Sequence, residues 1–177
     1  DTGTLFTNLG TMLSYPDEQI LESLTQVQSL APEESDALKP FADYLENDSM
    51  KEIEELFTGT FDLNPSCCLE VGWHLYGEDY QRGEFLVNMR QSLAEEQLQE
   101  SVELPDHLSH CLHLLPRLES EDAEVFSRKF MLPAILKIKD AMEDDNPYFC
   151  VVQVLQNLLE ARYGLADAGL DKEETRL

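Results

Sequence analysis

The sequence predicts an all-α protein, a single-domain helical bundle of about nine to eleven helices spanning residues 1–177. Three observations carry this. Apolar residues recur at spacings of three and four in nearly every segment, the period of an amphipathic helix. No stretch sustains the period-two alternation of a half-buried strand. The breaks between apolar periods carry Pro, Gly, Asn and Asp, the residues that start and stop helices. A 42% hydrophobic fraction over 177 residues suffices for one sizeable core. The periodicity places that core between about residues 5 and 164 and leaves 167–177 as a frayed tail.

Leu5, Phe6, Leu9, Met12 and Leu13 share a face of the first helix, which Tyr15-Pro16 closes because a residue before proline is pushed out of the helical region. Asp17 stands at an N-cap position for the second, which carries Ile20, Leu21, Leu24, Val27 and Leu30. Ala31-Pro32-Glu33-Glu34 opens a third, with Leu38, Phe41, Ala42 and Leu45 inward and Pro40 bending or shortening it. Asn47-Asp48-Ser49 caps a fourth, built on Met50, Ile53, Leu56 and Phe57. Cys67 to Tyr76 reads as a buried helix with Trp73 its bulkiest member, ended by Gly77.

The next helix runs from about Asp79 to Glu100, with Phe85, Leu86, Met89 and Leu93 inward. Glu78 and Arg82 are four apart in the orientation that favours an ion pair. Gly83 costs about 1 kcal/mol relative to alanine inside a helix, which points to a close backbone approach there. Pro105 suits the first turn of another helix, and Asp106 beside it would complement the positive end of that helix's dipole. Leu108, Leu112 and Leu115 then face the core until Pro116. Val125, Phe126 and Phe130 continue, Pro133 breaks or kinks the chain, and Ile135, Leu136 and Ile138 resume. After Asp144-Asp145-Asn146-Pro147, a last helix carries Phe149, Val152, Leu155, Leu158 and Leu159 and ends near Gly164.

Thirty-six acidic against 12 basic side chains give a formal net charge of -24. That repels nucleic acid and anionic membrane surfaces and attracts basic ligands, although a solvated acidic surface explains the charge equally. The four cysteines, Cys67, Cys68, Cys111 and Cys150, form no CxxC pair and read as small buried hydrophobes in a reducing compartment. His107, His110, Cys111 and His113 invite a zinc reading, but no second ligand cluster completes a site. No GxSxG, P-loop, GxGxxG or HExxH occurs, and the expectation is a non-enzymatic protein without a stably bound cofactor or metal. No apolar run is long enough to span a bilayer, and the start lacks a signal-peptide pattern, so a cytoplasmic location is expected. Candidate recognition residues cluster at two helix breaks: Tyr76, Gly77, Glu78, Asp79 and Arg82 at one, Glu103, Pro105, Asp106 and His107 at the other. The second cluster also reads as an ordinary helix start, and Tyr76-Gly77 as an ordinary helix end. A generic acidic helical domain that binds a basic peptide fits these residues as well, with a zinc-dependent enzyme a distant third.

In this order, FDL at Phe61 to Leu63, HLYGEDYQRG at His74 to Gly83 and ELPDHL at Glu103 to Leu108 resemble the NarJ-type assembly chaperones, relatives of TorD and DmsD. MLSYPDEQI at Met12 to Ile20 resembles that family's start, and the likeness runs over about residues 5 to 160. CCLEVGW before HLYGE and SHCLHLLPRL after PDHL depart from the family's usual run. The resemblance implies a TorD-like, monomeric fold without enzymatic activity. It implies a partner too, the apo catalytic subunit of a molybdenum oxidoreductase, bound at its N-terminal or twin-arginine-like segment. It further implies an indirect role in molybdenum-cofactor insertion, and it maps the family's acidic-Pro-Asp-His signature onto Glu103, Pro105, Asp106 and His107.

Overall fold

The computed structural model describes residues 1–169 and 175–176, so the expected frayed tail lies partly outside the described residues. Among the described residues ten α-helices follow in order: α1 (Thr2–Met12), α2 (Ile20–Leu30), α3 (Lys39–Asn47), α4 (Met50–Phe57), α5 (Val71–Tyr76), α6 (Gln81–Glu95), α7 (Leu108–Leu114), α8 (Ser120–Val125), α9 (Leu132–Ala141) and α10 (Pro147–Tyr163). Among the described residues there is no strand, only an isolated antiparallel bridge between Glu70 and His107. The all-α expectation holds.

Helix α7 sits in the middle of the packing. Every residue from Leu108 to Leu114 is buried except His113. Helix α1 packs on α2 and α7, α9 packs on α5 and α10, and α10 reaches α3. One end of the core is aromatic: Tyr148 of α10 meets the rings of Phe41, Phe57 and Phe61 at centroid distances of 4.8, 5.8 and 5.1 Å. Several helix starts obey their sequence signals. Ser49 and Glu52 form a reciprocal capping box on α4, and Asn146 caps α10 by accepting from the Tyr148 N–H at 2.9 Å.

Other local expectations are corrected. Pro40 does not bend a helix begun at Ala31. Pro32–Glu34 is a separate 3₁₀ turn, and Pro40 lies in the first turn of α3, where a missing N–H costs nothing. Asp17 accepts from Gln19 N–H at 2.8 Å within the turn ahead of α2. Pro133 does not break the chain either. The backbone stays helical from Ser120 to Ala141, with a wider π turn at Phe126–Met131 just before the proline. That turn absorbs the missing donor and the ring's crowding of the preceding carbonyl. Helix α6 stops five residues short of Glu100. The Leu98 N–H bonds Leu93 O at 2.8 Å and the Gln97 N–H bonds Ala94 O at 3.0 Å, with Gln97 at φ 56 where glycine is usual.

Candidate functional site

The segment Cys67–Tyr76 is not one buried helix. Its first half is a turn and a bend that lead to one bridge residue, Glu70, and it pairs with the chain around Asp106. The Leu108 N–H donates to Leu69 O at 2.8 Å, and the Val71 N–H donates to Asp106 O at 3.0 Å. Helix α5 then begins, and with six residues it is too short to persist alone. Other elements hold both its ends. The Asp106 carboxylate accepts from the Gly72 N–H at 2.8 Å, and Lys137 Nζ donates to His74 O at 2.7 Å. Gly77, at φ 60, ends the helix.

Asp106 therefore does complement a helix N-terminus, but that of α5 rather than of the helix that follows it. Pro105 and Asp106 lie in a turn closed by the His107 N–H on Leu104 O at 3.0 Å, and α7 starts only at Leu108. The cap of α7 is His107, whose Nδ1 accepts from the Ser109 N–H at 3.2 Å and lies 2.7 Å from Ser109 Oγ. Burial and the nearby His110 charge hold this imidazole down at about 3, so it stays neutral and able to accept.

Gly72 is where the two predicted clusters meet. A Cβ at this position would lie 2.7 Å from Asp106 Oδ2, 2.9 Å from Phe85 Cδ1 and 3.5 Å from Arg82 Cγ. Asp106 is fully buried, and burial pushes its carboxyl up to about 6 against the opposing pull of the Gly72 N–H and the Arg82 charge. Arg82 lies on the first turn of α6 with its guanidinium carbon 5.6 Å from the Trp73 ring centroid. It forms no ion pair with Glu78, because α6 begins only at Gln81 and Glu78 lies exposed in the preceding turn.

The other candidates divide by burial. Tyr76 is 3% exposed, with its ring 5.6 Å from that of Phe85, and belongs to the core. Pro105 and His107 are buried too. Glu78 and Asp79 are exposed, and Glu103 is half-buried. Gly83 is exposed, and a Cβ there would touch nothing within 4 Å, so the expected close backbone approach is absent.

Sequence reasoning missed two carboxylates. The Glu103 carboxyl is raised by burial and then by the charges of Asp62 and Glu70, and Asp62 is raised by burial and then by Glu70. Glu70 was hidden by reading its segment as helix. Asp62 lies at the end of a π turn, Thr58–Asp62, that continues α4 and delivers it to this edge. The Phe61-Asp62-Leu63 motif was the available signal. Around the three carboxylates, Leu63 is 77% exposed, Val102 fully so, and Leu104 43%. The loop that displays Val102 and Leu104 is pinned by His110, which accepts from the Ser101 N–H at 3.0 Å through Nε2 and bonds Leu104 O at 2.8 Å through Nδ1.

The residues of the zinc reading are engaged elsewhere. His107 and His110 use ring nitrogens in these caps, and the Cys111 thiol lies 3.6 Å from Asp106 O. Among the described residues no group of three or more His, Cys, Asp or Glu could hold a metal ion. All four cysteines are free. Cys68 Sγ lies 3.7 Å from His74 Nε2, but burial and Glu70 push the thiol up to about 12, which leaves it protonated and a poor nucleophile. No helix among the described residues is long and apolar enough to cross a membrane.

The family profile described as nitrate reductase delta subunit matches residues 27–146, well over half of the chain. That span holds α3 to α9 and every residue of the site, and it is narrower than the resemblance read from the sequence. No curated protein matches the chain. An all-helical fold, a Pro-Asp-His turn paired with the start of α5, and this match agree: the chain belongs to the nitrate reductase delta subunit family, the assembly chaperones of molybdoenzymes.

Proposed function

We propose that the chain binds the N-terminal segment of an apo molybdoenzyme catalytic subunit and holds that subunit for cofactor insertion before docking or export. The surface that receives the segment is the edge formed by Asp62, Leu63, Glu70, Val102, Glu103 and Leu104. The single observation that carries this reading is the crowding of three carboxylates, none in an ion pair among the described residues, beside exposed apolar side chains. Burial and then the neighbouring negative charge raise Asp62 and Glu103, and a cation from outside would relieve that charge. Apolar neighbours favour a peptide that presents one apolar and one basic face, as an amphipathic helix does. The rim charges set the on-rate and salt response and the apolar contacts set most of the affinity. A holdase that must release its client suits a Kd of about 1 μM, or roughly -8 kcal/mol. In this reading the protein works in the cytoplasm as a non-catalytic monomer and reaches the molybdenum cofactor only through its client.

The test is maturation in the cell. Replacing Asp62 with Asn and Glu103 with Gln should reduce both co-purification of the catalytic subunit and its molybdenum content, while the variant still folds. Full molybdenum loading by the doubly neutralised protein would overturn the assignment of this edge.

A further inference from the structure

Two buried polar atoms lack partners at the same spot. Asp106 Oδ1 and Arg82 Nε are both buried without a hydrogen bond, and both side chains line Gly72. Opposite charges thus share one wall and form no ion pair. The guanidinium instead lies over Trp73, whose indole N–H is fixed on Pro65 O at 3.1 Å. The charges of Arg82 and Glu70 are both felt at Asp106, Cys68 and His74. A carboxylate left buried and unpaired beside an available cation is costly, and such a cost persists where the group has another use.

An aromatic face, a buried carboxylate with one oxygen unclaimed and a second carboxylate at the rim are what a guanidinium subsite needs. We propose that Trp73, Asp106 and Glu70 form a guanidinium subsite that Arg82 fills in the free protein and that an arginine of the client segment takes over on binding. This rests on the peptide-binding reading above. Gly83 gives the displaced arm somewhere to go: it adjoins Arg82, it is exposed, and the space where its side chain would stand is open. Exchange of one guanidinium for another keeps Asp106 beside a positive charge throughout. Return of Arg82 then assists release of the client.

Trp73 is the sole tryptophan, so its emission reports on the occupant of the subsite. The first probe is N-acetylargininamide, which needs no client. Added to the full chain carrying Arg82→Gln it should shift Trp73 emission saturably, and added to the wild type it should do so at least about tenfold more weakly, a difference of about 1.4 kcal/mol. The second probe is a synthetic peptide of a nitrate reductase catalytic subunit's N-terminal segment, with a matched peptide in which citrulline replaces arginine. The arginine peptide should bind Arg82→Gln more tightly than wild type, Arg82→Lys should be intermediate, and the citrulline peptide should be indifferent to residue 82. Melting curves show whether Arg82→Gln stays folded, and Arg82→Lys tests the same point if it does not. Peptide binding that ignores both citrulline and residue 82, with no response to N-acetylargininamide, overturns the subsite and leaves the peptide-binding reading standing. A response to N-acetylargininamide without peptide binding overturns that reading instead, and the client exchange with it.

Discussion

Replacing Gly72 with alanine is expected to lower the melting temperature by roughly 6–12 °C, about 3 kcal/mol for a chain of this size. The new Cβ would lie 2.7 Å from the Asp106 oxygen and 2.9 Å from a Phe85 ring carbon. Neither neighbour gives way easily, because Asp106 is tied to the start of α5 and Phe85 is fully buried. Overpacking costs about 1–3 kcal/mol, and loss of a hydrogen bond to a charged group about 1.5–3 kcal/mol. The control is Gly83→Ala, at a helical glycine that touches nothing, which should gain up to about 1 kcal/mol. Calorimetric melts of the two variants check this. Equal melting temperatures would mean that the Asp106–Gly72 junction does not hold α5 in place.

Asp106→Asn should be more stable than the wild type at pH 8 and nearly equal to it at pH 4. The folded protein raises this carboxyl from its ordinary 3.8 to about 6. A raised carboxyl keeps its proton longer in the folded state than in the unfolded chain. Its contribution is therefore full below 3.8 and is lost as pH rises through about 6, leaving the fold about 3 kcal/mol less stable above that point. Asparagine keeps an acceptor for the Gly72 N–H and carries no charge, at some cost for its buried amide donors. His107, held down at about 3, works in the opposite direction as pH falls below 6.5, and it cancels when variant and wild type are compared at each pH. Denaturant unfolding of both proteins from pH 4 to pH 8 measures the difference, and one that does not change with pH contradicts the account. The same variant should bind the client peptide more weakly, which separates stability from recognition at one residue.

The helices were legible because most are amphipathic and bounded by ordinary caps. Met50 to Phe57 behind Ser49, and Pro147 to Tyr163 behind Asn146, needed no tertiary information. Helix α5 was misread because its flanks are apolar for a different reason: Leu69 is buried as part of an extended pairing, and periodicity cannot separate that from a buried helix. Both prolines expected to disrupt helices sit where the backbone already lacks or redirects a hydrogen bond, and the π turn ahead of Pro133 leaves no sequence signature. At the site, Glu103, Asp106 and Arg82 were visible as charges beside turn residues. The partners that give them meaning were not. Gly72, Trp73, Asp62 and Glu70 lie 30 to 44 positions from Asp106 and Glu103, and they are brought near only by the pairing of the 69–72 stretch with the 103–108 turn and by the π turn that carries Asp62.

On the proposed function, the carboxylate-rimmed edge receives a basic, apolar N-terminal segment. Calorimetric titration of the full chain with a synthetic peptide of a nitrate reductase catalytic subunit's N-terminal segment, at low and at high salt, tests it most directly. Binding is expected at about 1 μM, weaker at high salt and weaker again in the Asp62→Asn, Glu103→Gln protein. No binding, or binding of equal strength in both proteins and at both salt concentrations, would contradict it.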